Sequence, residues 1–342
     1  MQYDHFMNYI RNTFQQMMGP DVPVQIQPVL KTNNVHLDAL TILPNGQTIT
    51  PSIYLNEYYR QYQEGTSLNT IIQEIRDIYE TCRGAFQIDT EIILNFSCAR
   101  NLVAYKLIDY EANQTLLQNI PHVRYLDLAI VFYLLLDSDT SGDATALITN
   151  EHLKLWKSDV DTLYELAAHN TPILLEVNFT SLENLLRSLI IEDLKQEAAA
   201  YKEKEQISDA GMLSEQTLEL MADDILRQYT GEEEHPEMFV LTNSSRCNGA
   251  AALLYEKALD RAANHIGSNF YILPSSIHEV ILLPDEDDLN PAGLVEMVKE
   301  INAHDVAPTE KLSDTVYYYD AESHKVRCIN GAHPQNTREY TR

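Results

Sequence analysis

Cysteine is scarce in this chain: Cys82, Cys98, Cys247 and Cys328 are widely spaced, with no CxxC pair. That pattern excludes a zinc ribbon or a disulfide-stapled scaffold and suits a reducing compartment. Long apolar runs are missing too. The longest clean one is the nine residues Leu128–Leu136, against the roughly 20 that a membrane-spanning helix needs. The opening stretch MQYDHFMNYIRNTFQQMM lacks the basic-then-apolar order of a signal peptide. Positive charge is also short, with 24 Lys and Arg against 51 Asp and Glu, a formal net charge of −27. A phosphate-backbone binder needs a basic face, and no Lys/Arg cluster is present to build one. These absences predict a cytoplasmic protein that engages neither nucleic acid nor a membrane.

Signature motifs of catalysis are equally thin. No GxSxG elbow, HExxH pair or glycine-rich phosphate loop occurs. The eleven histidines are dispersed, with no helical pair four apart, so no cofactor and no metal is implied. The segment that comes nearest to a metal loop is DSDTSGD, where Asp137, Asp139 and Asp143 occupy oxygen-ligand spacing of a calcium loop. The twelfth position is Ile148, which offers no side-chain oxygen, and the preceding run LAIVFYLLL reads as a strand. The loop is therefore expected to be a hairpin turn, rich in residues that bond their own backbone.

What is present is an ordinary globular composition, 44% apolar and 22% charged, in 342 residues, long enough for two hydrophobic cores. The pattern predicts an N-terminal helix, a three-stranded meander with a turn at Pro44-Asn45-Gly46, and two helices over residues 1–86. A middle α+β unit follows over 87–179, its run LAIVFYLLL apolar on both faces and so suited to the centre of a sheet. An acidic helical connector is expected over 180–236; within 192–237 fourteen acids face four bases. A C-terminal α+β domain at 237–329 reads strand, helix (GAAALLYEKALDRAANHIG, closed by Gly267), two strands, helix (Asn290 as N-cap, Pro291 at N1), two strands. A loose tail covers 330–342. The expected class is α+β, with mixed or antiparallel sheets, helices packed on one face, and at least two domains.

Two sets of residues carry what chemistry there is. In NSSRCNGAAALLY, Cys247 is expected near the start of a helix, with Ser245 as an alternative nucleophile and His278 of a later strand as partner base. The competing reading is that Ser245 or Asn248 caps the helix while Gly249 permits close packing. The second set is aromatic. Twenty tyrosines against eight phenylalanines is an unusual ratio, and Tyr54, Tyr58, Tyr59, Tyr62 and the run Tyr317, Tyr318, Tyr319 cluster. Tyrosine suits protein interfaces because it joins an apolar ring to a polar tip. Trp156, the one tryptophan, is expected at a strand end and is a further contact residue.

The stretches NNVHLDALTI, ITPSIYLNEYY, IPHVRYLDLAIVFYLLL, ELAAHNTP, LTNSSRCNGAAALLY, YILPSSIHEVILLP and VAPTEKLSDTVYYYD together resemble a family of Firmicutes, often gut Clostridia, catalogued as domain of unknown function 5688. The resemblance covers about residues 1 to 329 and implies a bacterial, cytoplasmic protein; it transfers no catalytic residue. The leading functional expectation is a non-catalytic binding or regulatory factor with a protein partner. The alternatives are a hydrolase using Cys247 and His278, and an acidic decoy that mimics the charge of DNA.

Overall fold

The computed structural model describes residues 1–43, 52–85, 90–137, 144–205, 214–230, 236–274, 276–286 and 289–329. Two compact units divide the chain: Met1–Val123 with Ala129–Asn170, and Arg124–Leu128 with Thr171–Arg342. The class is α+β with antiparallel sheets.

The first unit opens with α1 (Tyr3–Met18), whose Phe6, Ile10 and Phe14 recur every fourth residue and are fully buried. Gly19, at φ 83, ends it. The strands β1 (Val24–Leu30) and β2 (His36–Ile42) pair antiparallel, from Val24↔Ile42 to Leu30↔His36, and β3 (Ile53–Tyr54) adds to β2. This is the expected meander; its Pro44-Asn45-Gly46 turn lies outside the described residues. The β1–β2 turn uses Asn33 and Asn34 at φ 58 and 57, a left-handed conformation that asparagine tolerates better than most residues. Then come α2 (Leu55–Gln63) and α3 (Leu68–Ala85), the latter capped by the Ser67 hydroxyl, which accepts the Thr70 N–H at 3.2 Å. Ile71, Ile72, Ile75 and Tyr79 of α3 close a core with α1 and the meander.

Further along, the segment TEIILNFSCARN forms two short helices, α4 (Thr90–Leu94) and α5 (Phe96–Ala99). The break is at Asn95, whose side chain accepts the Ser97 N–H at 3.0 Å and starts a new helix instead of continuing the old one. The strand β4 (Val103–Asp109), the short α6 (Gln114–Leu117), β5 (His122–Tyr125), β6 (Leu128–Asp137) and β7 (Ala144–Leu147) build a four-stranded sheet. Here β6 lies between β4 and β5 and also pairs with β7, and Leu128–Leu135 are buried without exception, which is the central position its apolar run predicts. Asn113 clasps Asn33: its Oδ1 accepts the Asn33 N–H at 2.6 Å and its Nδ2 donates to Asn33 Oδ1 at 2.7 Å. The unit continues into α7 (Asn150–Trp156) and α8 (Val160–Leu174), whose last residues are grouped with the second unit.

The second unit is built on a six-stranded sheet of order β13-β12-β10-β11-β9-β8, every described pairing antiparallel. Its strands are β8 (Val177–Ser181), β9 (Phe239–Asn243), β10 (Phe270–Leu273), β11 (Val280–Pro284), β12 (Tyr317–Asp320) and β13 (Lys325–Cys328). Strand β8 crosses the boundary expected between residues 179 and 180; five residues set between apolar helical runs leave little sequence signal. The acidic segment forms α9 (Leu182–Glu205) and α10 (Glu215–Thr230), linked by Arg187, which pairs with Glu183 at 3.0 Å and Asp223 at 2.8 Å.

One expected helix is cut short. Gly249–Leu254 is a 3₁₀ segment, the chain extends at Tyr255 (ψ 137), and α11 (Ala258–Ile266) starts after Lys257 turns left-handed. The Tyr255 hydroxyl donates to the Leu175 carbonyl at 2.9 Å, a buried bond that an unbroken helix would not aim there. Gly267 closes α11 as expected, at φ 83, and α12 (Pro291–His304) has Asn290 accepting the Ala292 N–H at 3.1 Å. Alternation along β10 and β12 sends Tyr271, Leu273 and Tyr318 toward α12, in a cluster with Leu294, Val295 and Val298. Tyr319 points the other way, where its hydroxyl donates to Asp260 of α11. In this sheet helices thus cover both faces, rather than the single face that the order of elements suggests.

Candidate functional site

The ends of β9 and β11 and the loop Ser244–Asn248 bring the sequence-derived nucleophile and base into one neighbourhood. The side chains of Asn243 and Ser245 turn back on the chain. Asn243 donates from Nδ2 to the Cys247 carbonyl at 2.8 Å, and Ser245 donates to Asn243 Oδ1 at 3.1 Å. Ser245 Oγ in turn accepts the Cys247 N–H at 3.3 Å. Such side-chain to backbone bonds stabilise turns, and they take Arg246 and Asn248 to φ 55 and 52. Neither Ser245 nor Asn248 caps the 3₁₀ segment through its side chain; Asn248 Nδ2 instead reaches Cys247 Sγ at 3.5 Å.

Gly249 explains why the loop sits so close. A Cβ there would collide with Thr242 Oγ1 and the His278 carbonyl, and would lie 2.8 Å from the Asn243 nitrogen. Its absence lets Thr242 donate to the His278 carbonyl at 2.7 Å and Ala250 N–H to Ile277 at 3.1 Å.

His278 is the centre of the arrangement. Its Nδ1 accepts the Asn248 backbone N–H at 3.3 Å, so in the neutral ring the proton is on Nε2. That Nε2 lies 3.8 Å from Glu310 Oε1, beyond direct hydrogen-bond reach. None of the bonds that His278 makes among the described residues reaches Cys247 Sγ. The backbone of the histidine is fixed by Ser276, whose oxygen accepts the His278 N–H at 3.0 Å while donating to Glu279 at 2.7 Å. Around it opens a cleft of about 430 Å³ lined by Arg246, Ser276, His278, Glu279, Asp305, Val306 and Glu310. Arg246, Asp305 and Glu310 come from the loop, the end of α12 and the segment after it; no periodic pattern in the sequence marks them. Cys247 is half-buried.

The other sequence-derived residues go elsewhere. Tyr317, Tyr318 and Tyr319 are buried in the second unit. Their hydroxyls donate in turn to Asp127, to Asp285 at 2.6 Å and to Asp260, so the run is core with satisfied polar tips and not a surface. Trp156 ends a helix, not a strand: α7 begins one residue after Thr149, a good N-cap. Its ring lies against Phe96 and His152, with centroids 5.5 and 5.3 Å away, and its Nε1–H donates to the Ile93 carbonyl at 2.9 Å. The N-terminal tyrosines differ. Tyr58, Tyr59 and Tyr62 of α2 pack with Tyr3 over the first core and stay half-exposed, with Tyr3–Tyr59 and Tyr59–Tyr62 centroids 4.9 and 6.3 Å apart. Of the DSDTSGD loop, Asp137 ends β6, while Asp139 and Asp143 lie outside the described residues. No cluster of three potential metal ligands occurs among the described residues, and no described helix is long and apolar enough to cross a membrane.

These features define an α+β protein with two compact units and a polar cleft beside a histidine whose ring accepts the Asn248 main-chain amide. Its sequence agrees with one family model over residues 3–321, that of a "Family of unknown function (DUF5688)". The chain belongs to that family. No curated protein and no solved structure matches the chain.

Proposed function

We propose that this is a non-catalytic, cytoplasmic bacterial protein that binds another protein, with the half-exposed tyrosine face of α1 and α2 as the contact surface. The observation that carries the reading is the contrast between the two tyrosine clusters. The side chains of the 317–319 run are themselves buried and spend their hydroxyls on Asp127, Asp285 and Asp260, whereas Tyr3, Tyr58, Tyr59 and Tyr62 stack on a core and stay half-exposed. Large, rigid rings with polar tips contribute disproportionately to protein interfaces. The absence of catalysis is supported by His278, whose Nδ1 lone pair is occupied by a main-chain amide and so is not offered to a nucleophile. The test is affinity capture from the native host with the wild-type chain and with Tyr58→Ser/Tyr62→Ser. A partner held by the first and lost by the second, with unfolding behaviour retained, supports the reading. Equal capture by both, or none, overturns it.

A hydrolase centred on Cys247, with His278 as base and Ser245 as the alternative nucleophile, is the second reading. It is favoured by Asn248, which touches the thiol through its side chain and the imidazole through its N–H. Turnover of any ester or amide substrate that is lost in Cys247→Ala would establish it and displace the first.

A further inference from the structure

The N-terminus of α7 carries an altered capping box. In the common form, Ser or Thr at the N-cap accepts the N–H three residues on, while a Glu or Gln there accepts the N-cap N–H in return. Here Thr149 supplies the first half, and the return acceptor is His152, whose Nδ1 takes the Thr149 N–H at 2.9 Å. A Glu carboxylate accepts at any pH above its low pKa; an imidazole nitrogen accepts only while neutral. The same ring stacks at 25° on Trp156, which anchors α7 to α4 and α5 through the Ile93 carbonyl and the Phe96 ring.

We propose that the Thr149–His152 box is a pH-sensitive latch that holds the seat of Trp156 at neutral pH and releases it on mild acidification. A proton from solvent added to Nδ1 turns the acceptor into a donor facing the Thr149 N–H. The Thr149 hydroxyl, 3.0 Å from Nδ1, can then accept from the imidazolium, but the main-chain N–H is left without its partner. The charged groups on α7 and its neighbour α4 are Glu151, Lys154 and Glu91; Glu151 and Lys154 pair with each other in solvent at 2.7 Å. Burial alone pushes the imidazole below its ordinary value of about 6.5. The unfolded chain therefore binds the proton first as pH falls. The stability tied to neutral His152 is complete above the ordinary value and is lost as pH drops through the folded one.

Trp156 reads the event directly, being the one indole in the chain and in stacking contact with the ring, where imidazolium quenches its emission. A pH titration of the wild-type protein is expected to show emission falling with a midpoint below about 6.5. Over the same range, protection of the Thr149 amide from hydrogen exchange, corrected for intrinsic rate, should fall about fivefold, the equivalent of a lost cap. His152→Gln, which restores the common box, should give flat emission and pH-independent protection. An equal titration in His152→Gln, a midpoint at or above the ordinary value, or unchanged amide protection in the wild type would each overturn the proposal.

Discussion

Replacing Gly249 by alanine tests the packing of the His278 loop most sharply. The added Cβ meets one side-chain oxygen and two backbone atoms, the His278 carbonyl and the Asn243 nitrogen. A side chain could swing aside, but the two backbone obstacles are Asn243, the last residue of β9, and His278, two residues ahead of β11 and tied by its N–H to the Ser276 oxygen. Overpacking of this kind costs about 1–3 kcal/mol. Displacing the 3₁₀ segment also removes the Thr242 bond to His278 and the Asn248 bond to Nδ1, each about 1 kcal/mol. The expected loss is about 3–5 kcal/mol, a large share of the roughly 5–15 that keeps a domain folded. Gly293→Ala is the matched control. Inside α12 its nearest neighbour would be Asn290 Nδ2 at 3.6 Å, ordinary contact, and relief of glycine's entropy there should stabilise by about 0.5–1 kcal/mol. Urea unfolding followed by far-ultraviolet circular dichroism measures both, while Trp156 emission reads the first unit separately. Adding Thr242→Ala should recover part of the Gly249→Ala loss, about 1 kcal/mol, because two of the three obstacles remain. Equal midpoints for the two glycine variants would refute the reasoning.

Other parts of the molecule give further expectations. Asn113→Ala removes both bonds to Asn33 and strands its N–H, so the first unit should lose about 1–3 kcal/mol in urea melts read by Trp156 emission. Asp127 accepts from Ser313 and Tyr317 at 2.7 and 2.8 Å, the latter fully buried; Asp127→Ala should cost about 2–4 kcal/mol in the dichroism-detected transition. Burial first, and Asp127 second, push the Cys328 thiol up to about 11. At pH 8 its thiolate fraction is then about a hundredfold below that of an ordinary thiol, and mass mapping of alkylated peptides should find exposed Cys98 modified long before Cys328. Burial also raises Tyr255 and Tyr317 above the ordinary phenol value. The folded state therefore holds their protons longer than the unfolded one, and stability should fall as pH rises past about 10, with phenolate absorbance appearing together with unfolding.

Local structure was legible wherever one stripe or one cap was enough to decide it. The four-residue recurrence in α1, the Ser67 and Asn290 caps, the stop at Gly267 and the two-faced apolar run of β6 all follow from spacing along the chain. Each depends on neighbours within a turn or two of helix or a strand's length, which the sequence contains. By the same logic the meander and the succession of strands β9 to β13 along the chain could be read from the sequence. The family, too, was readable from composite motifs spread along most of the chain.

Tertiary contact alone decided the rest. Whether a tyrosine is core or surface depends on which helix covers its face and on a distant carboxylate: Asp127, Asp285 and Asp260 lie far from residues 317–319 in sequence. Strand β8 exists because β9 lends it a partner, and the helix after Gly249 breaks because Tyr255 finds the Leu175 carbonyl. Asn248 touches both Cys247 and His278, yet the proton position on His278 rests on one backbone amide, a detail no residue pattern encodes. Sequence specifies the interactions that close over a few residues; those that close over a hundred are chosen by packing.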